Sequence, residues 1–283
     1  RDKVDSLLWA DNATKQVAMM KLHKARTVLW PPELILSNEG LDELYAHFPA
    51  SLYTNTSLFI KQWVGAQRSL RVLNEVRDHQ EDLEVPPNYV LPYFDYDYLQ
   101  NRVLISVAAL HGVLKAVQAT PAMLYGGLGF SFARQLLRAL DSGGLKIHPE
   151  GDVLPGTWAS PQWKKDMRER MACVAPAYES PFPEIPALEV THAAFERELK
   201  SKHNDDAAGG RGDLLHRRIM TEYTEQQVFF ITACFTLCRR RKSIRSFGGD
   251  CNKAAMHFEP YAKAFKCKPG SRLNPSVKCP YFN

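Results

Sequence analysis

The stretch GGLGFSFARQLLRALDSGG, residues 126 to 144, has the pattern of a helix that begins and ends at glycines. Its apolar and polar residues fall on two separate faces at the helical period, which is typical of an amphipathic helix. The apolar face comprises Ala133, Leu136, Leu137 and Leu140. The polar face comprises Ser131, Arg134, Gln135, Arg138 and Asp141. These residues alone predict a helix over about 122–141 with one buried face and one face turned to solvent.

The composition is that of a folded globular protein. Of the 283 residues, 45% are hydrophobic and 24% are charged, which does not fit an intrinsically disordered chain. The net charge of +5 is a small excess, and no nucleic-acid-binding module is recognisable, so we expect no nucleic-acid partner. No run of about 18 uncharged apolar residues is present, so we expect no membrane span within this chain.

Six cysteines lie in the C-terminal part of the chain, at 173, 234, 238, 251, 267 and 279. They lack the spacing of a structural zinc site, and an even number in a tail rich in proline and glycine favours disulfides. Two N-x-S/T sequons, at Asn12 and Asn55, agree with an oxidising compartment and predict N-glycosylation. We therefore expect an extracellular protein, either secreted or the ectodomain of a membrane protein.

Helical periodicity and proline or glycine breaks predict the remaining elements. Further helices are expected at about 10–29, 41–48, 56–82, 107–118, 161–174, 186–201 and 214–238. The aromatic segment 89–106 alternates enough to predict one or two strands. EVPPNY at 84–89 breaks the pattern, so we place a boundary there, between a helical segment at 1–88 and a lobe at 89–283. The expected fold class is mainly α with a small β element.

Four segments resemble the neprilysin and endothelin-converting-enzyme family of zinc metallopeptidases. The tail AFKCKPGSRLNPSVKCPYFN (264–283) is similar to the family's C-terminal signature, and EQQVFFITACFTLC (225–238) to the helix before it. WADNATKQVAMMKL (9–22) is similar to the family's W-M-D-x-x-T-K-x-x-A helix. YGGLGFSFARQLLRALDSGG (125–144) falls on its Y-G-G-I-G-x-x-I-G-H-E-x-x-H-x-F-D-D-x-G. The resemblance implies a thermolysin-like zincin catalytic lobe as in neprilysin, preceded by the upstream half of a longer ectodomain.

The family's metal helix carries two zinc-binding histidines at i and i+4, with a general-base glutamate between them. The resemblance places the histidines at Arg134 and Arg138 and the base at Gln135. Arginine stays protonated and offers no lone pair, and glutamine cannot accept a proton from water. We therefore expect no zinc, although the family requires it, and no other metal. The helix is expected to line a cleft, with Arg138 and Asp141 paired at i and i+3.

The family's third zinc ligand and its supporting aspartate lie in an E-N-I-A-D motif. The best overlay is PEIPALEVTHAAF (183–195), which puts Pro183 at the ligand and Ala187 at the aspartate. A shifted alignment would use Glu184 or Glu189 instead. His257 lies in the region of the family's transition-state histidine but matches no motif.

The family's substrate-binding strand, N-A-F-Y or N-A-Y-Y, aligns with the segment Tyr93-Phe94-Asp95-Tyr96. Only the last aromatic is retained, so the asparagine that holds a peptide backbone is missing. We still expect these four residues to line a peptide cleft.

By resemblance, Cys173 should pair with Cys279. The family counterparts of Cys238 and Cys267 pair with cysteines near the ectodomain's N-terminus, and no cysteine precedes Cys173 here. Either those partners lie in an upstream part, or the remaining four cysteines pair locally. Cys234 and Cys251 depart from the family pattern and could bond to each other.

These residues together predict a catalytically inactive metallopeptidase homologue that acts by binding a peptide or protein partner. One alternative is an active zinc metalloendopeptidase that cleaves small peptides, as the family resemblance by itself implies. The other is an adhesive module that binds integrins through Arg211-Gly212-Asp213, which lies in a glycine-rich loop.

Overall fold

The computed structural model describes residues 2–31, 33–46, 48, 58–76, 94–110, 119–174, 182–205, 222–238 and 251–282. The α-helices are α1 (Asp2–Asp5), α2 (Asn12–Lys24), α3 (Asn38–Tyr45), α4 (Phe59–Val76), α5 (Pro121–Leu124), α6 (Phe130–Leu136), α7 (Pro161–Val174), α8 (Glu184–Asp205), α9 (Glu225–Thr236), α10 (Cys251–Met256) and α11 (Glu259–Ala264). The strands are β1 (Arg26–Trp30), β2 (Phe94–Asp97) and β3 (Arg102–Ser106), and they form one sheet in the order β1-β3-β2. The expected class, mainly α with a small β element, is confirmed.

The chain divides into two compact units. The first comprises Arg1–Arg26, Phe94–Val103 and Leu110–Asn283, and the second comprises Thr27–Tyr93 and Leu104–Ala109. The described residues that the sequence singled out as a site belong to the first unit. The boundary predicted between residues 88 and 89 lies outside the described residues and stays a prediction.

The helix predicted over 10–29 is too long at its C-terminal end. α2 ends at Lys24, and Ala25 has an extended backbone that leads directly into β1. The N–H of Arg26 donates to the carbonyl of Asn101 at 3.0 Å. The residues that follow, Thr27 and Val28, are β-branched and suit a strand better than a helix. The apolar spacing therefore predicted a helix in a segment whose backbone is paired with a strand far away along the chain.

Two other predicted helix boundaries are wrong, because a side-chain cap fixes where each helix begins. α3 begins at Asn38, not at 41, because the Ser37 hydroxyl accepts a hydrogen bond from the N–H of Gly40. α9 begins at Glu225 because Thr224 and Gln227 form a capping box. Residues 222–224 are therefore not helical, although the sequence pattern placed them inside a helix at 214–238.

The helix predicted over 122–141 is confirmed as one continuous helical run from Pro121 to Leu140. It comprises α5, a π-helical turn at Tyr125–Gly129, α6 and a 3-10 turn at Leu137–Leu140. π turns inside α-helices occur frequently at functional sites. The whole run is called the central helix below.

Glycines allow the backbone to approach closely in the π turn of the central helix and in the segment that follows the helix. A Cβ on Gly126 would lie 2.3 Å from the carbonyl oxygen of Phe229 in α9, and one on Gly144 would lie 2.2 Å from that of Ala139. No side chain fits at either distance. The glycine entry and the glycine exit seen in the sequence are therefore packing requirements.

An aromatic core joins the beginning of the first unit to its end. The rings of Trp9 and Trp163 lie 4.9 Å apart, and Trp9 meets Tyr281 edge-on at 5.7 Å. The indole N–H of Trp9 donates to the carbonyl of Tyr281 at 3.1 Å. The segment around Trp9 and the C-terminal tail are therefore packed on one another.

Two disulfides hold the C-terminal part of the first unit. Cys173 is joined to Cys279 with the Cα atoms 5.9 Å apart, the pair that the family resemblance implied. Cys234 is joined to Cys251 with the Cα atoms 5.2 Å apart. Cys238 and Cys267 carry free thiols. Of the four cysteines other than Cys173 and Cys279, two are therefore bonded to each other and two keep free thiols.

Candidate functional site

Arg134, which the resemblance places at the first histidine position of the metal motif, forms a buried ion pair. Arg134 extends from α6 toward the first residue of α8, where its Nη2 lies 2.7 Å from Oε1 of Glu184. The two side chains are only 11% and 9% exposed. The N-terminus of a helix favours a carboxylate, so Glu184 is held by the α8 dipole as well as by the guanidinium.

The second histidine position also carries a paired guanidinium. Nη1 of Arg138 lies 2.7 Å from Oδ1 of Asp95 and donates to Oε1 of Gln135 at 3.1 Å. Nε donates to the hydroxyl of Tyr98 at 3.0 Å, and the guanidinium stands 4.9 Å from the centre of that ring. Burial opposes the charge on Arg138, but contacts with Tyr98 and Asp95 outweigh it and raise its pKa.

The direct pair predicted between Arg138 and Asp141 is wrong. The Tyr98 hydroxyl stands between them, accepting from Arg138 and donating to Oδ2 of Asp141 at 2.6 Å. The other carboxylate oxygen of Asp141 accepts from the N–H groups of Gly143 and Gly144, both at 2.8 Å. Burial and then Asp141 raise the pKa of Tyr98 to about 12, so its hydroxyl keeps its proton at neutral pH.

The side chains of Arg134, Gln135 and Arg138 are not zinc donors. At the positions that the resemblance assigns to two imidazoles and a carboxylate base, they present two guanidiniums, which have no lone pair, and one carboxamide. The carboxylates that reach Arg134 and Arg138 neutralise them. Over the described ranges, no cluster of three or more His, Cys, Asp or Glu side chains is placed to hold a metal ion.

Glu184, the first residue of α8, reaches the central helix through Arg134 and is a residue that the shifted alignment would use as third ligand. Pro183 precedes α8 and has no donor atom in its side chain, and Ala187 is fully buried. The sequence contained one usable signal for Glu184: it opens the helix, where an acidic residue is favoured. Its partner, 50 residues earlier, gave no local signal.

Glu189 is directed away from the central helix. Its two carboxylate oxygens accept the N–H groups of Tyr281 and Phe282 at 2.6 and 2.9 Å. Burial raises the pKa of Glu189, and these two hydrogen bonds oppose the rise. Glu189 therefore fastens the C-terminal tail. His257 has a similar role, because its Nδ1 accepts the N–H of Cys279 at 3.3 Å.

Asp95 and Tyr96, two of the four residues expected to line the cleft, contact different residues. Asp95 is the side chain that reaches Arg138. Tyr96 is buried, and its hydroxyl donates to Oδ1 of Asn101 at 2.5 Å, so it does not line a cleft. Phe94 is half-buried, and Tyr93 lies outside the described residues.

A buried lysine next to the central helix was not predicted. Lys21 has no exposed surface, and its Nζ donates to the carbonyls of Gly144 and Ile147 at 2.5 and 2.7 Å. It therefore fastens α2 to the segment that follows the central helix. The helical spacing of the buried residues Thr14, Ala18 and Lys21 is a pattern from which the sequence could have indicated it.

Lys21 gives the protein a measurable pH dependence. Burial lowers the pKa of Lys21 to about 8, with Asp141 opposing, from 10.5. Between those values the unfolded chain binds more protons than the folded one, so stability rises with pH. From pH 7.5 to 9, this gain is about 1 kcal/mol.

The Lys21 effect is measured by urea unfolding at both pH values, with Lys21→Met as the reference. The unaltered chain should gain about 1 kcal/mol more than the variant across that interval. The tyrosines with raised pKa values are common to both proteins and cancel. Identical pH slopes would show that Lys21 keeps an ordinary pKa.

The remaining predicted sites are the two glycosylation sequons and the integrin motif. Asn12 is exposed at the start of α2, while Thr14 of the same sequon is buried and accepts the N–H of Ser160 at 3.1 Å. Asn55 and Arg211-Gly212-Asp213 lie outside the described residues, so glycosylation and integrin binding stay predictions. Among the described helices, none combines the length and apolarity needed to cross a membrane.

Comparison with known proteins was made by sequence and by structure. No family model matches the chain. Neprilysin-2 of Drosophila melanogaster is 22% identical over 301 residues, which cover 98% of this chain and 38% of that protein. Endothelin-converting enzyme-like 1 of Mus musculus is 22% identical over 311 residues, which cover 98% of this chain and 37% of that protein. The chain thus spans less than two fifths of the length of these relatives.

A solved structure has the same fold. The zinc metalloprotease Zmp1 of Mycobacterium tuberculosis, determined in complex with an inhibitor, aligns with a TM-score of 0.66 and 17% identity. The alignment covers 100% of this chain and 45% of Zmp1. Over nearly its whole length, therefore, this chain is similar in sequence to members of the neprilysin and endothelin-converting-enzyme family of zinc metallopeptidases and has the fold of the Zmp1 structure.

Proposed function

We propose that this chain is a catalytically inactive metallopeptidase homologue that acts by binding a peptide or protein partner. The observation that carries the proposal is the buried ion pair between Arg134 and Glu184, since the resemblance assigns Arg134 to the position of the family's first zinc ligand. We further propose that the protein is extracellular, which the two disulfides support.

The chemistry of peptide hydrolysis requires groups that this site lacks. A zinc peptidase activates water on the metal and passes the proton to a carboxylate. Gln135, at the position of that carboxylate, is 6% exposed, and its Oε1 accepts a hydrogen bond from Arg138. A carboxamide has no basic oxygen for the proton, and a guanidinium has no lone pair to offer a metal ion.

The retained framework supports a binding role. The central helix packs against strand β2, the strand that the resemblance aligns with the family's substrate-binding segment. Hydrogen bonds join Asp95, Arg138, Tyr98 and Asp141 in one network. Within it, the side chains of Arg138 and Asp95 are accessible to a partner, at 28% and 44% exposed. They offer a partner one cation and one anion beside the aromatic ring of Tyr98.

Metal analysis tests the proposal directly. The purified chain should contain no stoichiometric zinc and should show no peptide cleavage that a chelator suppresses. The triple variant Arg134→His/Gln135→Glu/Arg138→His should gain about one zinc per chain, because it combines two imidazoles with the carboxylate of Glu184. Circular dichroism verifies that the variant is folded.

Two outcomes would contradict the proposal in different ways. Stoichiometric zinc with chelator-sensitive cleavage in the unaltered chain would show an active peptidase. A folded triple variant that binds no zinc would show that these residues do not occupy the family's metal positions. Arg134→Lys is the matched control, since it preserves the charge and should bind no zinc.

Integrin binding through Arg211-Gly212-Asp213 is a separate proposal that rests on the sequence alone. Cell adhesion to the immobilised chain, compared with Asp213→Glu, tests it. If Asp213→Glu leaves adhesion unchanged, integrin binding through this motif is contradicted.

A further inference from the structure

A cavity of about 700 Å³ opens beside the segment that follows the central helix. Its apolar lining includes Leu145, Met167, Met171 and Phe182. This volume lies within the range of small-molecule sites, about 300–1,000 Å³. Methionine side chains are flexible and polarizable, so they adapt to apolar ligands of varied shape.

Three cations stand around this apolar lining. Lys164 and Arg168 occupy the same face of α7 as Met167, and Lys146 follows the central helix. Lys146 and Arg168 are exposed, and Lys164 is half-buried. Within the part of the chain that the structure describes, none of the three forms an ion pair with a carboxylate.

The one acidic side chain in the lining is already engaged. Asp141 accepts hydrogen bonds from Tyr98, Gly143 and Gly144. An incoming anion therefore meets cations that form no ion pair with a carboxylate of the described residues. The combination of an apolar interior with unpaired cations at its edge complements a ligand that has an anionic head and an apolar tail.

We propose that this cavity binds the aliphatic chain of a fatty acid, with the carboxylate placed between Lys164 and Arg168. Removal of apolar chain from water drives the binding. The two cations fix its orientation by charge-assisted hydrogen bonds to the carboxylate. The site is independent of the proposed loss of zinc, and its test does not involve metal or proteolysis.

Calorimetric titration with octanoate, decanoate and dodecanoate below their micellar concentrations tests the site. We expect one ligand per chain and an affinity that rises about fourfold with each added methylene. Dodecyltrimethylammonium, which reverses the charge of the head, should bind about tenfold more weakly than dodecanoate.

Two variants separate the head from the tail. Lys164→Gln/Arg168→Gln should weaken dodecanoate about tenfold and leave the neutral probe decanol unchanged. Gly156→Trp should block all the probes, because Gly156 lines the cavity and a Cβ there meets nothing within 4 Å. Lys165→Gln/Lys200→Gln removes the same net charge outside the lining and is the matched control.

Three results would overturn the proposal. They are absence of saturable dodecanoate binding to the unaltered chain, an affinity independent of chain length, and equal affinities in the control and in both cavity variants. Binding that Gly156→Trp abolishes but Lys164→Gln/Arg168→Gln preserves would overturn the assigned place of the carboxylate.

Discussion

Replacing Glu184 with alanine should lower the free energy of unfolding by about 4 kcal/mol, because it leaves the Arg134 guanidinium buried without its carboxylate. The two side chains are 11% and 9% exposed, so water cannot take the place of the missing partner. Urea unfolding followed by circular dichroism measures the loss. Arg134→Ala should cost a similar amount, since it strands the carboxylate.

A double-mutant cycle separates this pair from general packing. Arg134→Leu/Glu184→Leu removes both charges and keeps apolar volume, so it should be far less destabilising than Arg134→Leu or Glu184→Leu alone, the single variants that complete the cycle. Lys165→Ala/Glu169→Ala is the control for an exposed pair, whose side chains are 63% and 64% exposed. That pair should contribute at most about 0.5 kcal/mol. A coupling energy near zero between Arg134 and Glu184 would contradict the interpretation that their ion pair replaces the metal as a structural element.

The second large effect is expected at the π turn. Gly126→Ala should lower the free energy of unfolding by about 3 kcal/mol, because its Cβ would lie 2.3 Å from the carbonyl oxygen of Phe229. The contact is with backbone, so no rotamer change relieves it, and the central helix must move away from α9.

Gly129→Ala is the matched control in the same turn. Its Cβ would meet its nearest neighbour, the carbonyl oxygen of Leu124, at 3.6 Å, an ordinary contact. Alanine has a higher helix propensity than glycine by about 1 kcal/mol, so this variant should be neutral or slightly more stable. If both variants destabilise equally, the close approach to Phe229 is not what requires glycine at 126.

The interpretation that the motif's imidazoles and carboxylate are replaced depends on the sequence alone, because it concerns residue identity within a local motif. The glycines and Asp141 carry the resemblance, which places Arg134, Gln135 and Arg138 where the family has imidazoles and a carboxylate. The existence of helices such as α7 and the central helix is likewise predictable, because the hydrophobic period is a local property. Helix ends are less predictable, since caps and strand pairing, as at Ala25 and Thr224, override the period.

The partners of the two arginines were decided by the tertiary structure. Glu184 and Asp95 lie 50 and 43 residues away from them along the chain, and no spacing rule links such residues. The choice of Glu184 over Pro183, the bridge through Tyr98 and the buried Lys21 depend on the same kind of contact. The amino-acid sequence by itself therefore determined which chemical groups stand in the motif, because a side chain carries its own lone pairs and protons. Only packing decided what neutralises the two guanidiniums, because an ion pair requires distance and shared burial, which the folded chain alone provides.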